Sequence, residues 1–190
     1  MRTSRGLRNS FYIALLALLS ACAPDAGLQP LPPPASNTAY RLGSGDQVRV
    51  TTFDETGLTG QFTVDDSGNI AMPLLGPVSA DGLTTTALAH KIATTLKDRK
   101  LLADPNVVVE VVKYRPIFVL GEVQHPGPYP FQPHMTLLSA VALAGGFTPR
   151  AVEDRASVVR SDSAGTIEGR VERQSQLEPG DVVTVLERNF

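Results

Sequence analysis

The chain holds a single cysteine, Cys22, so no disulfide can close within it whatever the redox state of its compartment. Charge of one sign is also lacking, with 17 Lys and Arg against 19 Asp and Glu. That balance argues against a nucleic-acid partner, whose affinity rests on basic side chains neutralising phosphates. There is no G-x-S-x-G, no phosphate-binding G-x-x-x-x-G-K, and Gly43-Ser44-Gly45 lacks the third glycine of a dinucleotide fingerprint. The histidines, His90, His125 and His134, show no paired spacing of a metal site and read as surface residues. Asp65-Asp66-Ser67-Gly68-Asn69 lacks the ligand spacing and distal glutamate of a calcium loop and reads as a turn. No cofactor, metal or catalytic residue is expected. Long apolar runs are missing as well: the stretch at 11–19 is about half the roughly 20 residues that a spanning helix needs.

That stretch follows Arg2, Arg5 and Arg8, the layout of a secretory signal peptide over 1–21. Leu19-Ser20-Ala21-Cys22 resembles a lipobox, the motif at which bacterial lipoproteins are acylated on cysteine and cut just before it. Cleavage is expected between Ala21 and Cys22, with Cys22 as the lipid anchor; more than one acyl chain gives stable attachment. Ala23 stands where inner-membrane lipoproteins tend to carry aspartate, so the resemblance implies the outer membrane, with the protein facing the periplasm. The segment 22–39 holds Pro24, Pro30, Pro32, Pro33 and Pro34 and few large apolar side chains, and reads as an extended tether without a packed core.

From 40 onward the pattern is mixed, an α+β arrangement of two small units, 40–114 and 115–190. Gln47-Val48-Arg49-Val50 alternates as a strand does, and 61–64 leads through the 65–69 turn into Ile70-Ala71-Met72 as a hairpin. Over 84–97, Leu88, Ile92 and Leu96 recur at fourfold spacing behind Thr84 as N-cap, which predicts a helix. The β-branched run at 107–112 suits a strand buried on most of both faces. Beyond Arg115-Pro116, strands are expected at 117–123 and 182–186, and a hairpin around 162–165. A helix at 137–144 is expected to be capped by Thr136 and ended by Gly145.

One internal echo stands out: Leu42-Gly43-Ser44-Gly45-Asp46 with Val48 and Val50 matches Leu177-Glu178-Pro179-Gly180-Asp181 with Val183 and Val185. Glycine permits a positive φ and aspartate bonds the turn backbone, so one turn type is used twice, in a structural role rather than as a ligand site.

These residues carry a family resemblance. Tyr40-Arg41-Leu42-Gly43-Ser44-Gly45-Asp46, Phe62-Thr63-Val64-Asp65, Gly68-Asn69-Ile70, Pro73-Leu74-Leu75-Gly76 and Gly82-Leu83-Thr84 resemble the export domain of the bacterial outer-membrane polysaccharide biosynthesis/export protein family, in a short form. Val119-Leu120-Gly121-Glu122-Val123, Pro126-Gly127-Pro128-Tyr129 and Ala144-Gly145-Gly146 resemble the soluble-ligand-binding β-grasp (SLBB) domain that follows it. Gly45, Asp46, Gly121, Pro126, Gly127, Gly145, Gly146, Gly180 and Asp181 are the turn positions of these motifs.

The resemblance implies a homo-oligomeric ring that passes a capsular polysaccharide or exopolysaccharide without catalysis, above an inner-membrane co-polymerase. Only five residues follow Val185, against the C-terminal pore helix of larger relatives, so a separate outer-membrane pore protein is expected. Two other classes stay open from the residues alone. One is a periplasmic saccharide-binding lipoprotein. The other is a polysaccharide-cleaving enzyme, which needs two carboxylates across a cleft, with Asp54, Glu55, Glu122 and Glu153 as candidates.

Overall fold

The computed structural model describes residues 27–33, 39–162 and 165–188. Ala21, Cys22 and the apolar run at 11–19 lie outside the described residues, as does Phe190.

The first unit grows around β1 (Gln47–Thr52), whose alternation buries Val48 and Val50 completely. β1 is the middle of an antiparallel three-stranded sheet, flanked by β2 (Gly60–Thr63) and β5 (Val107–Lys113). A hairpin of β3 (Asn69–Met72) and β4 (Gly76–Ser79) stands beside it. Helix α1 (Thr85–Asp98) forms where the fourfold spacing predicts one; the Thr84 hydroxyl accepts the Ala87 N–H at 3.1 Å, and Leu88, Ile92 and Leu96 are fully buried. Burial of each such side chain stabilises by about 1.5–3 kcal/mol. With Leu42, Ile70, Met72 and Val109 they make one core.

The second unit is a five-stranded sheet in the order β7-β6-β10-β8-β9. The strands are β6 (Ile117–Gly121), β7 (Gly127–Tyr129), β8 (Arg155–Asp162), β9 (Gly165–Glu172) and β10 (Val182–Val185). Its first and last strands, β6 and β10, lie parallel at the centre and every other pair is antiparallel. Helix α2 (Leu137–Leu143) opens with a reciprocal Thr136–Ser139 capping box and buries Leu137, Ala140 and Val141 against Ile117, Val119, Val158, Val183 and Val185. The architecture is therefore mixed α+β, as expected. Among the described residues no helix is long and apolar enough to cross a membrane.

Three sequence expectations differ from the structure. The 65–69 turn forms, but its flanking strands do not pair with each other: β2 pairs with β1, and β3 with β4. Asp65 Oδ1 accepts the N–H groups of Ser67 and Asn69 at 2.9 Å, and the Gly68 carbonyl accepts those of Ala80 and Asp81, which carries the chain out of the first sheet. The valine strand β5 is an edge strand, not one buried on both faces. Only Val109 is buried, whereas Val108 and Val112 are exposed, because α1 covers one face alone. Finally, part of the 22–39 segment is packed. Pro30 bridges in parallel to Arg170 of β9, and Leu31 joins the second core.

Candidate functional site

The two copies of the repeated turn fold alike. In each, the aspartate N–H donates to the carbonyl three residues back, Asp46 to Gly43 and Asp181 to Glu178, both at 3.1 Å. Each carboxylate then accepts the N–H of that same residue, at 2.9 Å for Gly43 and 2.8 Å for Glu178. Gly45 and Gly180 take positive φ values of 92° and 87°. Both aspartates are fully buried.

A buried carboxylate is costly unless it is paired and hydrogen-bonded, and each of these has an arginine. Arg160 grips Asp181 with two prongs, Nε to Oδ1 at 2.9 Å and Nη2 to Oδ2 at 2.8 Å, while its Nη1 donates to Glu178 at 3.0 Å. Arg115 serves Asp46: its backbone N–H donates to Oδ1 at 2.8 Å and its guanidinium lies 3.6 Å from Oδ2. The same guanidinium donates through Nε to the Pro179 carbonyl at 2.9 Å, in the other turn.

The two turns thus face each other across one side chain. A Cβ at Gly43 would stand 1.9 Å from Arg115 Nη1, and one at Gly180 would stand 2.6 Å from Arg115 Nε. At Gly180 the positive φ and the arginine together call for glycine, whereas at Gly43 the outer end of the Arg115 side chain fills the place of a side chain. Since Arg115 lies between β5 and β6, it joins the units at the point where the chain passes from one to the other.

An aromatic row runs alongside. Tyr40 meets Tyr114 edge to face at 5.0 Å between centroids, and Tyr114 meets Phe131 at 5.5 Å. Tyr40 packs on the first core and Phe131 on the second. The Tyr40 hydroxyl donates to Asp46 Oδ2 at 2.6 Å. Burial, and then that hydrogen bond to a carboxylate, push its pKa above the ordinary 10.0. Asp46 accepts from Gly43, Arg115 and Tyr40 at once, an arrangement that holds two units in register.

The remaining turn residues gather elsewhere. Gly121 ends β6 with φ 80°, and Pro126 and Gly127 lead into β7. Gly145 and Gly146 follow α2, where Gln124 donates to the Gly146 carbonyl and His125 to that of Ala144. The nine turn positions therefore form two groups: Gly45, Asp46, Gly180 and Asp181 at the junction, and the other five where the β6–β7 loop meets the end of α2.

The candidate carboxylates are spread over both units. Asp54 and Glu55 follow β1, at the end of the first unit away from the junction. Glu122 accepts a hydrogen bond from the Thr148 hydroxyl, and Glu153 pairs with Arg188 at 3.2 Å. His90, His125 and His134 are all exposed. Among the described residues, no group of three or more His, Cys, Asp or Glu could hold a metal ion.

Sequence reading did not single out Arg115, Arg160 or Tyr40 as members of this site. The repeated Gly-Asp turn was the available signal: an aspartate buried in each copy demands a cation, and Arg115 stands at the boundary between the units.

Comparison with known proteins bears on the whole arrangement. A family model described as "Polysaccharide biosynthesis/export protein" matches residues 34–112, and an SLBB domain model matches residues 116–172. The exopolysaccharide production protein ExoF of Rhizobium meliloti is 36% identical over 154 residues, which cover 75% of this chain and 35% of the relative. The polysialic acid transport protein KpsD of Escherichia coli is 30% identical over 60% of this chain and 20% of its own length. The EPS I polysaccharide export outer membrane protein EpsA of Ralstonia nicotianae is 26% identical over 81% of this chain and 49% of its own. The chain thus spans half or less of the length of these relatives.

Proposed function

Because the chain belongs to the polysaccharide biosynthesis/export protein family and carries an SLBB domain after its export domain, we propose that it is a periplasm-facing lipoprotein of the outer membrane. In this reading it is anchored through Cys22 and assembles into a ring that conducts a capsular polysaccharide or exopolysaccharide. The order of the two domains matched in this chain, together with relatives named for exopolysaccharide production, transport and export, carries the proposal.

A ring also fits the physics of the task. Repeated heterologous contacts that close on themselves can enclose a path for a long polymer. Such a ring works only if its subunits keep their shape, and the Arg115 junction supports that by fixing one unit against the other. In this reading the polymer passes without bond cleavage, with an inner-membrane co-polymerase as the partner beneath the ring.

Crosslinking in native membranes, with polymer secretion scored in a deletion strain, tests this. The expected result is a ladder of homo-oligomers from the lipidated protein, and secretion restored by the wild-type chain. Only monomers after crosslinking would overturn the ring, and cleavage of the purified polymer by the protein would overturn conduction without catalysis. The anchor is tested separately: Cys22→Ala should leave a folded protein that no longer fractionates with outer membranes.

A further inference from the structure

The segment that connects the anchor to the export domain does not run straight to it. Gln29, Pro30 and Leu31 lie along β9, in the SLBB domain, before the chain enters the export domain at Tyr40. The Arg170 N–H donates to the Gln29 carbonyl at 2.9 Å, and the Leu31 N–H donates to the Arg170 carbonyl at 2.8 Å, which is the spacing of a parallel strand pair. Leu31 is 9% exposed and belongs to the second core.

β9 is built to receive this segment. Opposite it stands Gly169, in the interior of the strand, where a Cβ would meet Leu31 Cδ1 at 2.9 Å and both the Gln29 carbonyl oxygen and Leu31 Cα at 3.0 Å. Glycine inside a strand weakens it, and a close approach of another backbone is a reason to find it there. The segment also covers part of the outer edge of β9, which would otherwise present unpaired backbone groups.

We infer that residues 29–31 are a strap that moves the mechanical attachment of the membrane anchor from the export domain, which it precedes in sequence, to the edge of the SLBB domain. The inference rests on the reading of Cys22 as the lipidated residue. Docked, the strap limits the distance between Cys22 and the β9 edge to about 25 Å, the full extension of the intervening chain, whereas an undocked segment up to Tyr40 would reach about 60 Å. The SLBB domain is then held near the bilayer, with its β9 edge toward the anchor.

Hydrogen exchange on the full lipoprotein in phospholipid vesicles tests the strap. The Leu31 amide should exchange at least tenfold more slowly than an unprotected amide. Gly169→Val, whose new side chain suits a strand but fills the place of Leu31, should return Leu31 to the unprotected rate while β6 and β10 keep their protection. Leu31→Asp should have the same effect from the other partner. Because Cys22 is the only cysteine in the sequence and is consumed by the lipid, a Gln174→Cys label reports distance to a bilayer dye, and that distance should lengthen in Gly169→Val. Unprotected exchange at Leu31 in an acylated wild-type protein, or no change in Gly169→Val, would overturn the strap. A wild-type protein without acyl mass but with Leu31 protected would overturn the anchor and leave the strap standing.

Discussion

Arg115 and Asp46 meet twice, once through the arginine backbone N–H at 2.8 Å and once through its guanidinium at 3.6 Å, and the same guanidinium reaches across to Pro179 at 2.9 Å. The contact links two turns of one design that belong to different cores. Their coupling has measurable consequences.

Arg115→Met removes the guanidinium but keeps the backbone bond to Asp46. It should cost about 1.5–3 kcal/mol, the range for a hydrogen bond to a charged group. Its larger effect should be on cooperativity: calorimetry should show the single transition of the wild type dividing into two, one per unit. A narrow single transition in the variant would mean that the units are joined by something else.

At the second turn the pair is more deeply enclosed, since Asp181 is fully buried and Arg160 nearly so. Asp181→Ala leaves a buried guanidinium without its two-pronged partner and should destabilise by about 3–5 kcal/mol in urea unfolding. The double variant Arg160→Met, Asp181→Leu should lose less than the two single losses combined, because it removes both members of the buried pair and leaves only the partly exposed Glu178 without its contact to Arg160.

Alkaline pH should act through Tyr40, whose pKa is raised by burial and by its bond to Asp46. In the unfolded chain the phenol ionises near 10.0, while in the folded chain it stays protonated beyond that. The folded state therefore binds more protons above this point, so its contribution is complete below pH 10 and is lost as pH rises. Tyr40→Phe should flatten the fall of stability above about pH 10 and lower stability at neutral pH by about 1 kcal/mol. Equal alkaline slopes in the two proteins, measured by denaturant titration, would contradict the assignment.

Leu74 combines a left-handed backbone, φ 62°, with 73% exposure at the tip of the β3–β4 hairpin. A left-handed leucine costs about 1–2 kcal/mol, and asparagine tolerates that conformation better. Leu74→Asn should raise stability by about 0.5–1 kcal/mol in urea unfolding. A loss of stability would show that Leu74 packs on the hairpin despite its exposure.

Much of this fold was legible in the sequence where the signal is local. The fourfold spacing of Leu88, Ile92 and Leu96 and the hydroxyls of Thr84 and Thr136 set both helices, because period and cap act within one element. The echo between Leu42-Gly43-Ser44-Gly45-Asp46 and Leu177-Glu178-Pro179-Gly180-Asp181 located the twin turns. Pairing was less legible: a turn at 65–69 says that the chain reverses, not which strand it joins, and a run of valines fits an edge strand as well as a central one. The contacts of Arg115 were not legible because its partners, Asp46 and Pro179, are distant in sequence on opposite sides of it. Proline content concealed the docking of Leu31, since composition reports stiffness and not the presence of a receiving edge.

The docking of Leu31 on β9 also fixes an order of events in folding. If it formed first it would close a loop of about 140 residues, at an entropic cost of roughly 4 kcal/mol, which cancels most of what two backbone bonds and one leucine contribute. Once both cores exist and Arg115 has joined them, the open link shrinks to the few residues between Leu31 and Tyr40, and the same closure costs only about 2 kcal/mol. The stretch made near the start of synthesis is thus among the last to settle. Until β9 is complete, residues 29–31 have no edge to dock on, and they settle only when the unit that receives them has folded.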